Sequence, residues 1–229
     1  MFRNRFKKFG GDHIPDIVEY LKDYVKNDPT TTISVGCDSI QKRKRTIYAC
    51  TIMLYNTDIK NGAHVVFFRE NIDKIRENFE RLHKEAQFCY DIADFLNTEL
   101  NGFYERKDLT EIERKRYKFH LLKCNGEYEH LQAHQEDSFV KNLTLTDFER
   151  TNVYNLVDIH VDFNPSEGTI NEKGVSKNKS NLAYKAFVPW LKGLNYRVLS
   201  KPSGFASTSA ADLLLQDWSG GKVAVFIYS

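Results

Sequence analysis

The sequence predicts an α/β fold built on a mixed sheet, and three observations carry that expectation. Three segments rich in β-branched and aromatic residues follow one another across short turns, a long amphipathic stretch comes next, and strands then alternate with helices toward the end of the chain.

The elements follow in order. Ile14, Ile17, Val18, Leu21, Tyr24 and Val25 recur at helical spacing behind Pro15, which suits a first-turn position, and the run stops at Asn27-Asp28-Pro29, so a short covering helix opens the chain. Segments 32–37, 46–55 and 64–68 read as strands, joined by a basic turn at 41–45 and by a turn containing Asn61-Gly62. Links that short imply an antiparallel meander. From 72 to 100 the apolar positions Ile75, Phe79, Leu82, Ala86, Cys89, Ala93, Leu96 and Leu100 step by three and four, the mark of one long helix lying across the sheet.

Residues 101–152 are charged and poor in apolar positions, and read as an insertion of about fifty residues between the long helix and the fourth strand, within a single domain spanning 1–229. Strand returns at 156–163, followed by a Gly/Lys/Asn/Ser-rich loop over 164–181 and a helix over 182–192 that Pro189 is expected to kink or end early. A strand at 196–200, a helix over 205–218 with Ala206, Ala210, Leu213 and Leu214 as its apolar face, and a strand at 223–228 complete the pattern. Alternation after the meander implies parallel neighbours joined by right-handed crossovers, and ligand sites in such sheets lie at strand carboxyl ends.

Composition narrows the class. At 229 residues, with 41% hydrophobic and 28% charged residues, the chain can bury an ordinary globular core. The basic first ten residues lack the apolar stretch of a signal peptide, and no apolar run approaches the roughly 18 residues that span a bilayer, so a cytoplasmic protein with no membrane partner is expected. Cys37, Cys50, Cys89 and Cys124 fall singly, which suits reduced, mostly buried thiols better than a disulfide framework or a zinc ribbon. A net charge of +2 permits a polyanionic partner without identifying one.

The acids placed where such a fold does chemistry are few. Asp38 closes the hydrophobic segment Ile33-Ser34-Val35 at the sheet's rim; with Ser39 it could also be a plain turn or cap. Asp162 closes the fourth strand, where alternation puts Asp158, His160, Asp162 and Asn164 on one side, a stripe that a solvated face would also produce. On the long helix Glu77 and Glu80 fall opposite the apolar seam, whereas Glu85 flanks it and can lean toward the sheet edge. Asp212 is the sole acid in a small-residue helix and, taken alone, reads as a surface aspartate. Two acids at strand ends and one on each of two helices can meet in a single cleft. Clustered carboxylates raise one another's pKa unless a cation compensates, and hard oxygen ligands suit Mg²⁺ or Mn²⁺. The corresponding chemistry is two-metal hydrolysis, with ions about 3.5–4 Å apart. A glycine-rich P-loop, a Gly-x-Ser-x-Gly elbow and a Cys/His pairing are all absent from the sequence.

The segments Ile33-Ser34-Val35-Gly36-Cys37-Asp38-Ser39, Arg81-Leu82-His83-Lys84-Glu85, His160-Val161-Asp162-Phe163-Asn164 with Lys179-Ser180-Asn181, and Lys201-Pro202 through Phe205-Ala206-Ser207 to Ala211-Asp212 together resemble the YkuK-type ribonuclease H-like family. The resemblance covers 12–100 and 153–218. It implies a five-stranded mixed sheet, metal-dependent phosphodiester hydrolysis leaving 3′-hydroxyl and 5′-phosphate ends, and Asp38, Glu85, Asp162 and Asp212 as the acidic set. It also implies a nucleic acid substrate, whether RNA, DNA or a hybrid. Cys37 departs from the Thr or Ser that usually precedes the first aspartate in that family, and 101–152 lies beyond the pattern.

Further candidates stay open at this level. Lys201, ending a strand on the presumed active side, could meet a scissile phosphate or offset the acids' charge, or be a solvated lysine. Asn164 could support a metal-bound water, and Ser39 could contact substrate beside Asp38. The turn 42–45 could grip a nucleic acid backbone, although hairpin turns are commonly basic because they are solvated. His120, Cys124, His130 and His134 have spacings that fit a zinc site, but Asn125-Gly126 interrupts them. Two functions compete: a metal-dependent nuclease, and a catalytically silent binding or assembly module that uses 101–152 as its partner surface.

Overall fold

β-Branched and aromatic residues at alternate positions make the first half of the chain a sheet. The computed structural model describes residues 2–27, 31–56, 63–104, 156–166, 180–201 and 206–215. Strand β1 is Lys7–Lys8, followed by helix α1 at Ile17–Asn27, strands β2 at Thr31–Gln41, β3 at Arg45–Asn56 and β4 at Ala63–Asp73, and helix α2 at Asn78–Tyr104. Strand β5 is Val157–His160, helix α3 Asn181–Gly193 and strand β6 Val198–Leu199; a π-helical turn at Ala206–Ala211 then runs into the short helix α4, Asp212–Leu215. The expected zinc candidates and the strand at 223–228 lie outside the described residues, as does the part of the expected insertion beyond Tyr104.

The six strands form one mixed sheet in the order β1-β4-β3-β2-β5-β6. The meander β2-β3-β4 is antiparallel, and β2-β5 and β5-β6 are parallel. Among the described residues the sheet has six strands where the resemblance implies five, and Lys7 and Lys8, which pair with Phe67 and Val66 on β4, form one that the sequence reading did not include. The basic start of the chain is thus part of the fold. Phe2 and Phe6 are buried, and Phe6 meets Phe68 edge-on with centroids 5.0 Å apart.

Helices α1 and α2 cover one face. Asp16 caps α1, its Oδ1 accepting from the backbone N–H groups of Val18 at 2.9 Å and Glu19 at 3.3 Å, so Pro15 precedes the cap rather than occupying the first turn. The stripe Leu82, Ala86, Cys89, Ala93, Leu96 and Leu100 of α2 is buried in the main core with Ile33, Val35, Cys37, Cys50 and Ile159 of the sheet. Helix α2 begins later than the apolar spacing suggested, since Ile72 belongs to β4 and Glu77 precedes the first turn. Cys37, Cys50 and Cys89 are free and buried.

Helix α3 runs through Pro189 to Gly193, contrary to the expected break. The residues that pack inward are Ala183, Val188 and Leu191, whereas Pro189 is exposed, so the missing N–H falls on the watered side of the helix. The opposite face of the sheet carries the π turn and α4, where Ala211, Leu214 and Leu215 pack with Ala49 of β3. The extra residue of the π turn shifts the apolar face from the α-helical phase read in the sequence.

Candidate active site

Registers bring the rim residues together before any side chain is considered. The parallel pairing of β2 with β5 ends at Gly36 opposite His160, and that of β5 with β6 ends at His160 opposite Leu199. Two residues beyond these positions stand Asp38, Asp162 and Lys201, level with one another at the carboxyl ends of three neighbouring parallel strands. Asp38 does not end its strand, as the sequence suggested: β2 continues to Gln41 along β3, and it is the pairing with β5 that stops. The open edge of β2 beyond Gly36 is what leaves room for a site.

Alternation then distributes the rim between two faces. Asp38 lies opposite Ala49, and Ala49 opposite Arg69, so these three side chains share the face covered by the π turn and α4. Ser39 points the other way, toward α2. Its Oγ donates to Glu85 Oε1 at 2.6 Å, and Arg81 Nη1 donates to the same oxygen at 2.9 Å and to the Ser39 carbonyl at 3.1 Å. Arg81 Nη2 is held in turn by Asn78 Oδ1 at 2.9 Å. The predicted lean of Glu85 toward the sheet edge is realised, with the carboxyl group 2% exposed. Arg81 was overlooked in the sequence, although its place four residues before Glu85 on the same helical face signals it.

Electrostatics mark Glu85 as the tensest group at the rim. Burial and the nearby charge of Asp38 push its carboxyl up to about 8, with Asp162 adding to the rise and the Ser39 and Arg81 contacts opposing it. Oε1 accepts two donors, while Oε2 is buried without a hydrogen-bond partner. A carboxyl raised to about 8 keeps its proton at neutral pH. Asp162 pairs with Lys201, Nζ to Oδ1 at 2.9 Å, and Asp38 Oδ1 accepts the backbone N–H of Ser39 at 2.7 Å.

Asp212 opens α4 beside the rim on the Asp38 face, its side chain lying outside the described residues. Its helix is fastened at both ends. The Ala206 N–H donates to His160 Nδ1 at 3.0 Å, and the Thr51 hydroxyl donates to the Ala206 carbonyl at 2.9 Å. Arg69 Nη2 donates to the carbonyl of Leu214 at the far end. His160 is therefore neutral with its proton on Nε2, and burial, with Arg197 adding, holds its pKa down at about 3. The stripe Asp158, His160, Asp162 is not the solvated face it resembled: His160 is buried, and Asp158 pairs with Arg197 at 3.2 Å. Asn164 Oδ1 accepts the Ser166 N–H at 3.0 Å.

Among the described residues no group of three or more His, Cys, Asp or Glu side chains stands close enough to share one ion. The acids interact through their fields, as the rise at Glu85 records, and the fourth candidate side chain is outside the described set. Among those residues, too, no helix is long and apolar enough to cross a membrane.

A family model described as ribonuclease H-like matches residues 16–215, a span containing Asp38, Glu85, Asp162 and Asp212. No curated protein and no solved structure matches.

Proposed function

The chain belongs to the ribonuclease H-like family, and from that premise we propose that it hydrolyses nucleic acid phosphodiester bonds with two Mg²⁺ or Mn²⁺ ions held by Asp38, Glu85, Asp162 and Asp212. The observation that carries the reading is Glu85: a carboxyl raised first by burial and then by the neighbouring acids Asp38 and Asp162, with one oxygen satisfied twice and the other not at all. A hard divalent ion at the unpartnered oxygen would relieve that state, which is what supports the reading. The YkuK-type assignment within the family rests on the motif segments and belongs to the same proposal.

When bound, the ions would supply an acidified water and positive charge for the leaving oxygen. The chain's own residues have separable tasks. Ser39 and Arg81 hold Glu85 Oε1 and so fix the orientation of the carboxyl group. Lys201 neutralises Asp162 before substrate arrives and is placed to meet a phosphate oxygen afterwards. The buried clamp on Ala206 and the Arg69 bond to Leu214 fix α4, which brings Asp212 to the Asp38 side of the rim. Attack of water on phosphorus forms one P–O bond and breaks the P–O3′ bond, leaving 3′-hydroxyl and 5′-phosphate ends. RNA, DNA and their hybrid all present this linkage. Asn164, two residues beyond Asp162, would support a metal-bound water through its amide group while its Oδ1 holds the Ser166 N–H.

The test is cleavage of labelled RNA, DNA and hybrid strands in Mg²⁺ or Mn²⁺ by the native chain and by Asp38→Asn. Cleavage that needs the metal and falls at least about a hundredfold in the variant is expected, since these groups act as a unit. Cleavage of the same size in Asp38→Asn, or none by the native chain with either ion, would overturn the proposal.

One observation favours the second reading, a silent binding or assembly module. Glu85 and Asp162 already have cationic partners of their own, Arg81 and Lys201, and acids so paired can serve the fold alone. Under that reading Mn²⁺ leaves the melting temperature unchanged, and a protein partner is sought at 101–152.

A further inference from the structure

The row that contains Asp38 continues across the sheet to a place where the charge reverses. Asp38 faces Ala49, and Ala49 faces Arg69 on β4, so Arg69 stands two strand spacings, about 10 Å, from Asp38 on the same face. There a groove of about 440 Å³ opens between β1, β4 and the end of α4, lined by Arg5, Lys7, Phe9, Phe67, Arg69 and Leu214. Its walls combine three cations with the rings of Phe9, Phe67 and Phe68, the first two with centroids 5.8 Å apart.

The three cations are not equally committed. Arg5 pairs with Glu70 and lies over the Phe68 ring at 4.3 Å, and Arg69 spends one nitrogen on the Leu214 carbonyl. Lys7 is exposed on the two-residue strand β1, and its backbone alone makes the pairing with Phe67. One acid set against three cations leaves the groove electropositive, beside a rim that is acidic. A phosphodiester strand needs both features: cations to meet its backbone and flat apolar surface for its bases.

We propose that this groove is a second contact for a nucleic acid strand, taking a phosphate on Lys7 and a base against the Phe9–Phe67 wall. The inference rests on the nuclease reading for the direction of the strand, but the groove's chemistry stands by itself.

The experiment uses the full chain in EDTA, so that binding is read without cleavage. Affinity for a labelled single-stranded oligonucleotide is measured across a salt series for the native protein, Lys7→Gln, Lys7→Glu and a control, Lys26→Gln, on the exposed side of α1. The slope of log K against log salt is expected to fall by about 0.7 in Lys7→Gln, the value of one single-strand phosphate contact, and not in the control. Lys7→Glu is expected to weaken binding further. As a measurement free of any variant, the oligonucleotide should protect Lys7, and not Lys26, from acetylation. No binding by the native chain, an unchanged slope in both Lys7 variants, or equal acetylation of Lys7 with and without the strand overturns the proposal. The two readings fail separately: cleavage lost in Asp38→Asn but untouched by Lys7 sinks the groove alone, whereas Lys7-dependent binding without metal-dependent cleavage sinks the nuclease alone.

Discussion

Ser39 Oγ sits 2.6 Å from Glu85 Oε1 and joins the rim of β2 to the first turns of α2, so the strand that carries Asp38 also orients the acid above it. Ser39→Ala removes this donor and leaves Arg81 as the partner of Oε1. Urea denaturation at neutral pH should report a loss of about 1–2 kcal/mol. If Glu85 is a metal ligand, the midpoint of a Mn²⁺ titration should rise as well.

Glu85 gives the metal-free protein a specific pH dependence. Its folded pKa of about 8 lies above the ordinary carboxyl value of 4.5, so between those limits the folded chain holds a proton that the unfolded chain has released. Stability from this group is present below the lower value and is lost as pH rises toward the upper one. His160, held at about 3, runs the other way: its contribution is present above 6.5 and is lost on acidification. The difference between native protein and Glu85→Gln isolates the first term. Measured in EDTA, the native chain should lose roughly 2–4 kcal/mol relative to Glu85→Gln between pH 5 and pH 8.

Lys201 pairs with Asp162 and would compete with a cation bound there. In Lys201→Gln, Mn²⁺ should stabilise the protein at a concentration lower by roughly two- to fivefold, the range of a half-exposed pair, as read from the shift in melting temperature. Nucleic acid cleavage should fall in the same variant because the phosphate contact is lost.

The Ala206 clamp is buried and therefore sensitive. His160→Leu strands the Ala206 N–H, and Thr51→Val strands its carbonyl; each should cost about 1–3 kcal/mol. Faster amide exchange over 206–212 should accompany the loss, with exchange in α1 unchanged.

Phe6 tests whether the first residues belong to the core. It is fully buried against Phe68, and Phe6→Ala should cost about 3–5 kcal/mol by thermal or urea unfolding.

What the sequence made legible was periodicity. The meander, α2 and α3 follow from repeats of two and of three to four residues, and Glu85 followed from its angle on a helical wheel. Asp38 and Asp162 were legible as acids after apolar runs. Pairing partners far along the chain were not, because nothing local in Asp162 records that it will stand level with Asp38 and Lys201. The role of His160 was hidden for the opposite reason: alternation put it in a polar stripe, and only the arrival of Ala206 turns that side of β5 into an interior. The same small residues that read as a plain α-helix admit a π turn, which local propensity does not distinguish. The strand at the basic start was not legible because a two-residue strand leaves no periodic signature.

The abrupt end of the β2–β5 pairing at Gly36 and His160 has a consequence in time. The antiparallel meander and α2 are neighbours in sequence, whereas β5 is synthesised about 120 residues after the strand it joins, a separation that makes its docking a late event. A nascent chain therefore displays Asp38 and Glu85 as an incomplete half, with the edge of β2 still bare. The acidic rim, and with it any capacity to bind a cation there, is acquired in the last steps of folding.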